Sequence, residues 1–486
     1  MATVSESAES DAWAGGPTEA GATASGPNVD GATASSLAAT GRAVAGLARD
    51  GRFAEIEARY AEPLRAAVPP GTLRTAWAAE TEQRGGVRAI GEPVTGPVAK
   101  AMTEPVAKAM TEPVAKAVTE PVSEAAGGGL VRVTVPVSCE RGGITLVMAV
   151  DAAGLLHGLR IGPAAAGEWA PPDYARPSRF TEREVTVGAG PAAVLGTLTM
   201  PRARRLGWRR GAGRPGIVLL SGGGAFDRDE TSGPNKPLKD LAWGLASQGV
   251  AVLRFDKVTF AHPGLVAEAA EFTVTDEYVP HAVAAVRMLG QQPGVDPERV
   301  FVLGHSMGGR VAPRVAAAQA SVAGLVLLAG DAEPVAAKAI RVARHVAAAE
   351  PGPAAEAFAA TMARQAALAD GPDLSPATQG AELPFGWPGS FWLDLRDYDP
   401  VATAAGLDRP MLILQGGRDY QVTVADDLAR WRAGLGHRGD VTFRVYDADN
   451  HLFYPGTEPS VPSEYDRPQH VDPAVVADIA AWLAGR

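Results

Sequence analysis

Val300-Phe301-Val302-Leu303-Gly304-His305-Ser306-Met307-Gly308-Gly309-Arg310 is the stretch that decides the fold. Four consecutive apolar residues read as a strand buried on both faces, and the Ala-rich stretch that follows reads as a helix. Between them stands a G-x-S-x-G pentapeptide, Gly304 to Gly308. A strand-to-helix turn that holds its serine in a strained conformation leaves no room for a Cβ two residues before or two after it. Such a turn lifts the hydroxyl to the top of a sheet. Ser306 is therefore the candidate nucleophile. The plain alternative is a bystander serine in a Gly-rich turn, and the strand and helix on either side argue against it.

Working outward, the same rhythm repeats. Residues 184–187 and 193–199 read as a hairpin, and apolar runs follow at 216–220, 250–255, 300–303, 325–328, 411–414 and 442–445. Helical stretches at 236–247, 276–289 and 310–318 separate most of them, and another at 473–483 follows the last. This alternation is what a mostly parallel, doubly wound sheet with crossover helices requires. Between 331 and 403 the rhythm breaks into Ala-rich helix and a Pro/Gly/Trp-rich loop, which predicts a helical lid; a structural excursion without gating is the other reading.

A serine nucleophile needs a base, and the base needs an orienting acid. Of the eight histidines, His451 follows the last expected strand, in Asp449-Asn450-His451-Leu452-Phe453, and is the candidate base. His262, in the loop after 250–255, is the rival. His305 adjoins the serine, and its side chain is expected to point away from the turn. The candidate acid is Asp419, in Gly416-Gly417-Arg418-Asp419-Tyr420, after the run at 411–414. Asp331 is its rival; Asp449 is too close to His451 in sequence to orient it easily. Two backbone N–H groups must also converge on the developing oxyanion. Met307, directly after the nucleophile, supplies one. The glycine run Ser221-Gly222-Gly223-Gly224-Ala225-Phe226 follows a strand and is expected to supply the other, from Ala225 or Gly224. A phosphate loop is the alternative there, but the run has neither a Lys-Ser/Thr ending nor G-x-G-x-x-G spacing.

The rest of the chain bounds these readings. Its 486 residues, 46% hydrophobic, suffice for one large domain and smaller segments, without an apolar run long enough for a membrane span. A net charge of -10 disfavours nucleic acid as a partner. One cysteine, Cys139, excludes an internal disulfide framework. No metal-ligand spacing such as H-E-x-x-H occurs, and no cofactor is expected. Residues 1–35 read as a disordered tail with neither a basic nor an apolar targeting region, so a cytoplasmic protein is expected. Residues 36–163 read as a small α+β domain with helices first and strands at 131–137, 144–150 and 155–161. Inside it a Thr-Glu-Pro-Val-Ala-Lys-Ala-Met repeat places prolines at 97, 105, 113 and 121, breaking helix and strand alike. The span of about 96–124 thus reads as a loop lengthened by a duplicated segment, with a partner-binding linear motif as the alternative. Residues 164–177 read as a linker, and 178–486 as the large domain.

The stretches Gly222–Pro237, Asp240–Ala246, Leu253–Lys257, Gly304–Gly309, Gly417–Val422 and Asn450–Phe453 together resemble bacterial α/β-hydrolases of the dienelactone-hydrolase-like, esterase type. Many of these carry a small N-terminal domain of unknown function, which 36–163 is similar to. The resemblance implies the α/β-hydrolase fold and the chain order Ser306, Asp419, His451 for a catalytic triad. Two departures stand near the expected substrate mouth. The family's Gly-Ser-Gly-Pro is Gly-Gly-Gly-Ala here, and its Asp-Lys-Arg-Thr is Asp256-Lys257-Val258-Thr259. The expected activity is cleavage of a small-molecule carboxylic ester through an acyl-enzyme. A thioesterase, acyltransferase or cyclase on a pathway intermediate is the alternative, and a non-catalytic binding protein of the same fold a third reading. In Asp227-Arg228-Asp229-Glu230, Arg228 either grips a substrate carboxylate or, the bland reading, fixes a loop. Substrate identity and oligomeric state are not legible.

Overall fold

The computed structural model describes residues 31–97, 130–140, 142–163, 169–202, 213–269, 271–349 and 351–486. The expected tail and octapeptide loop lie outside the described residues, except that 31–35 open a helix and 96–97 close a strand.

The N-terminal part begins with helices Gly31–Arg49, Phe53–Glu57, Glu62–Ala67 and Thr72–Arg84. An antiparallel sheet follows, with β1 (Val87–Ile90), β2 (Val94–Pro97), β3 (Val131–Cys139), β4 (Gly142–Val150) and β5 (Leu156–Pro163). In β3, Val131, Val133, Val135, Val137 and Cys139 are buried while their neighbours are not, the period-two pattern of a sheet with one covered face. The covering side is the helices: Val44, Ile56 and Leu64 pack with Val133, Leu146 and Ile161 in one core. The expected α+β domain is thus present, with β1 and β2 as additional short strands.

The larger part is an eight-stranded sheet of β6 (Phe180–Val187), β7 (Val194–Pro201), β8 (Arg214–Leu220), β9 (Ala251–Phe255), β10 (Val295–His305), β11 (Val322–Leu328), β12 (Met411–Gly416) and β13 (Val441–Tyr446). Their spatial order is β13-β12-β11-β10-β8-β9-β7-β6. All pairings are parallel except β6 with β7 and β7 with β9. The inner strands are continuous Val/Leu/Ile runs because helices cover both faces. Val300 and Val302 point to one core and Phe301 and Leu303 to the other, all at most 1% exposed. Each such side chain contributes about 1.5–3 kcal/mol by burial.

One face carries helices Val274–Gly290 and Met307–Ala318, the other Pro237–Ser247 and Pro473–Ala484. The helix Val274–Gly290 starts where Thr273 and Asp276 cap each other reciprocally, Thr273 Oγ1 accepting from the Asp276 N–H. Ahead of the large sheet, Trp169 donates from Nε1 to the buried Asp240 carboxylate at 2.8 Å. Between β11 and β12 an insertion contributes helices Val335–Ala349, Pro353–Asp370, Gly389–Arg396 and Pro400–Ala405. Among the described residues no helix is long and apolar enough to cross a membrane.

Candidate active site

β10 runs up the middle of the large sheet and ends at His305; the helix Met307–Ala318 begins two residues later. The one residue between them, Ser306, takes φ 52° and ψ -118°, a conformation non-glycine residues rarely adopt. Its N–H donates to the Leu328 carbonyl on β11 at 2.9 Å. The turn is tight enough that a Cβ on Gly304 would lie 2.2 Å from the Gly308 carbonyl oxygen, and one on Gly308 2.6 Å from that of Ser221. The spacing of the pentapeptide is thus imposed by backbone packing.

His451 sits in the loop after β13. The Asn450 side chain shapes that loop, its Oδ1 accepting from the Leu452 and Tyr454 N–H groups at 3.0 and 3.1 Å. His451 Nδ1 lies 2.7 Å from Asp419 Oδ2. Asp419 follows β12, and its carboxylate also accepts from the Gln421 and Val422 N–H groups and from Gln415 Nε2, at 2.8, 2.9 and 3.1 Å. Acceptance from four N–H donors is the bonding of an ionised carboxylate. With Nδ1 as the donor to Asp419, the His451 Nε2 lone pair is left for a proton from elsewhere. Ser306 and His451 line one cavity of about 50 Å³, together with Gly222, Gly223, Phe226, Met307, Phe385 and Trp387.

Three strand-end loops therefore bring Ser306, Asp419 and His451 together. The rivals are engaged elsewhere. His262 Nε2 bonds the Ala193 carbonyl at 2.7 Å, and Asp331 pairs with Lys338. Of the glycine run, Gly222 and Gly223 line the cavity, while Gly224 and Ala225 are not among its lining residues. Arg228 is spent on structure: its fork holds the Asp256 carboxylate at 3.0 and 2.9 Å, and Nη1 donates to the Gly196 carbonyl at 3.0 Å. Trp387 lines the cavity, whereas Trp392 faces another and Tyr420 stacks on His345 at 4.5 Å between ring centres. That other cavity, about 660 Å³, lies between the helices Val335–Ala349 and Pro400–Ala405 and contains neither Ser306 nor His451.

Two groups beneath the site, Glu230 and His305, make contacts that the local sequence does not signal. Glu230, buried with φ 54°, accepts through one oxygen from the Gly222 N–H at 2.7 Å and from His305 Nδ1 at 2.8 Å. The other nitrogen of His305 bonds the His451 carbonyl at 2.9 Å. Burial alone would lower the His305 pKa, but the charge and hydrogen bond of Glu230 and the His451 carbonyl together raise it above the ordinary value. An imidazolium donating from both nitrogens satisfies this arrangement. The expectation that His305 points away from the turn is met only in that it leaves the serine; it turns inward, under the base.

Asp449, two residues before His451, is fully buried. Burial, then the charge of Asp472, push its pKa from 3.8 up to about 7. A carboxyl raised on folding stabilises the fold fully below pH 4, and that contribution is lost as pH rises through about 7. Asp449→Asn is thus expected to raise unfolding free energy at pH 8 by about 1–3 kcal/mol and to change it little at pH 4. Urea denaturation at the two pH values checks this; equal effects at both would count against it.

Comparison with known proteins places the chain in a family. The model of an alpha/beta hydrolase family matches residues 217–461. Esterase EstD of Thermotoga maritima is 34% identical over 350 residues, covering 71% of this chain and 77% of that protein. Among solved structures, a puromycin-hydrolyzing peptidase of Mycobacterium tuberculosis aligns with TM-score 0.41 and 16% identity over 74% of this chain and 46% of its own length. Est1E from Butyrivibrio proteoclasticus aligns with TM-score 0.40 and 15% identity over 62% of this chain and 99% of its own. The family match runs from β8 through the loop of His451, and the sequence relative is 34% identical over 71% of the chain: this chain belongs to the alpha/beta hydrolase family.

Proposed function

We propose that the chain hydrolyses carboxylic esters, with Ser306 as nucleophile, His451 as general base and acid, and Asp419 holding the imidazole. Ser306 Oγ attacks the ester carbonyl while His451 Nε2 takes its proton. The imidazolium so formed is stabilised by Asp419 and returns the proton to the departing alcohol. Water, deprotonated in turn by His451, then releases the acyl group from Ser306. The observation that carries this reading is that His451, held by Asp419 at 2.7 Å, lines the same cavity as the strained Ser306. The 34% identity to an esterase supports the ester as the bond cleaved.

For the oxyanion we take Met307 and Gly223 as donors, in place of Ala225 or Gly224. The Met307 N–H is the first of its helix and has no intrahelical acceptor. The Gly222 N–H is already given to Glu230. Gly223 comes next, and a Cβ placed on it would lie 3.6 Å from that of Met307. The insertion between β11 and β12 acts as the lid: Phe385 and Trp387, 4.9 Å apart, close the cavity from that side.

A fluorophosphonate probe and a panel of p-nitrophenyl esters with matched thioesters test the proposal. Labelling is expected on the peptide containing Ser306, with oxygen esters turned over. Unlabelled Ser306 in a chain that still turns over esters would overturn it, and turnover of thioesters alone would reassign the substrate bond.

A further inference from the structure

The segment Asp256-Lys257-Val258-Thr259 holds none of the triad, yet Lys257 lies beside the oxyanion loop and is only 2% exposed. Its ammonium has three N–H donors, and its partners include a carbonyl, a hydroxyl and a carboxylate. It donates to the Gly222 carbonyl at 2.9 Å and to the Tyr278 hydroxyl at 2.7 Å, and pairs with Glu277 Oε2 at 3.0 Å. Thr259 Oγ1 donates to the other Glu277 oxygen at 2.6 Å. The Tyr278 hydroxyl, having accepted from Lys257, donates in turn to the Gly222 carbonyl at 2.7 Å. Burial, followed by the charges of Glu277 and Glu230, keeps the Tyr278 pKa well above the ordinary phenol range, so it remains a donor.

A buried ammonium costs several kcal/mol of desolvation, and an apolar side chain would fill the same space without that cost. Beside its counter-ion Glu277 and the Tyr278 hydroxyl, the charge holds the Gly222 backbone carbonyl. A trans peptide is planar, with its N–H on the side opposite its C=O, so gripping the Gly222 carbonyl aims the Gly223 N–H the other way. The Gly222 N–H is fixed as well, by Glu230. A peptide whose carbonyl is bonded to a cation is also polarised, which makes its N–H a stronger donor.

We propose that Lys257, together with Tyr278, is a positioning residue of the oxyanion hole: by clamping the Gly222 carbonyl it aims and polarises the Gly223 N–H that receives the developing oxyanion. The inference rests on the Ser306 acyl chemistry proposed above. Lys257 does not touch substrate; it acts through one peptide group.

The test compares Lys257→Met and Tyr278→Phe with the wild-type full chain. Loss of an oxyanion donor costs about 10²–10³ in kcat, so Lys257→Met is expected to lower kcat by that factor with KM changed less than about threefold. Tyr278→Phe, which removes one of two grips, is expected to lower kcat about tenfold. The discriminating readout is inhibition by a trifluoromethyl ketone, which forms a tetrahedral oxyanion on Ser306. Its Ki should rise in step with the fall in kcat/KM, as mere loosening of the fold would not produce. Circular dichroism and thermal melting establish that each variant is folded; if Lys257→Met does not fold, Tyr278→Phe decides. Folded variants with wild-type kcat and ketone Ki overturn the clamp alone. A wild-type chain that neither labels at Ser306 nor turns over esters overturns the Ser306 reading and the clamp with it.

Discussion

Ser306→Ala is expected to lower kcat on a p-nitrophenyl ester by about 10⁴–10⁶ while leaving the protein folded. The two halves of this expectation have separate causes. In the proposed mechanism the hydroxyl carries the acyl group, so its loss removes the covalent route altogether. What survives is binding and whatever the oxyanion donors give to direct attack by water, about 10³–10⁴ over the uncatalysed reaction. The fold is spared because the strain lies in the backbone: φ 52° is as costly for alanine as for serine. Steady-state kinetics with a thermal melt of the same preparation measures both. Retention of more than about 1% of wild-type kcat, after contamination is excluded, would show that Ser306 is not the nucleophile.

Asp419→Asn is expected to cost about 10⁴ in kcat, nearly as much, although the substitution is isosteric. The carboxylate accepts from four N–H groups, and His451 Nδ1 is the shortest of these contacts at 2.7 Å. An asparagine that turns its NH₂ toward His451 presents a donor to a donor. The ring must then carry its proton on Nε2, the nitrogen that should receive the one from Ser306. An asparagine that keeps its oxygen there turns the NH₂ against the Gln421 and Val422 N–H groups instead. Either way the tautomer or the loop is lost. The pH dependence of kcat gives the check: at high pH hydroxide can bypass the missing base, and a partial recovery there separates a tautomer fault from misfolding. Activity within tenfold of wild type would move the orienting role to another acid.

Much of this was legible in the sequence because it is local. The strand β10, the turn at Ser306 and the helix after it are written in adjacent residues: a Val/Leu run, two glycines at fixed offsets, then alanines. Asp419 and His451 could be placed because each follows a run that reads as a strand, Asp419 the fully buried β12 and His451 the edge strand β13. The oxyanion loop was less legible, for a physical reason. Whether Gly223 or Ala225 faces the cavity depends on how Gly222 is held, and its holders are Glu230, Lys257 and Tyr278, the last 56 residues away. The inward turn of His305 likewise depends on Glu230, 75 residues before it. β1 and β2 escaped notice because four-residue strands carry too little period to read, and they form by pairing with β3.

Glu230 gives the site a common footing. A single carboxylate oxygen bonds the Gly222 N–H on one side and, through His305, the carbonyl of His451 on the other. The loop that would receive the oxyanion and the loop that carries His451 are therefore surveyed from one benchmark, below the floor of the cavity. The roof is a different piece of chain, the insertion bearing Phe385 and Trp387, which makes no part of that bonded path. Substrate choice can then drift in the roof while the chemistry underneath keeps its dimensions.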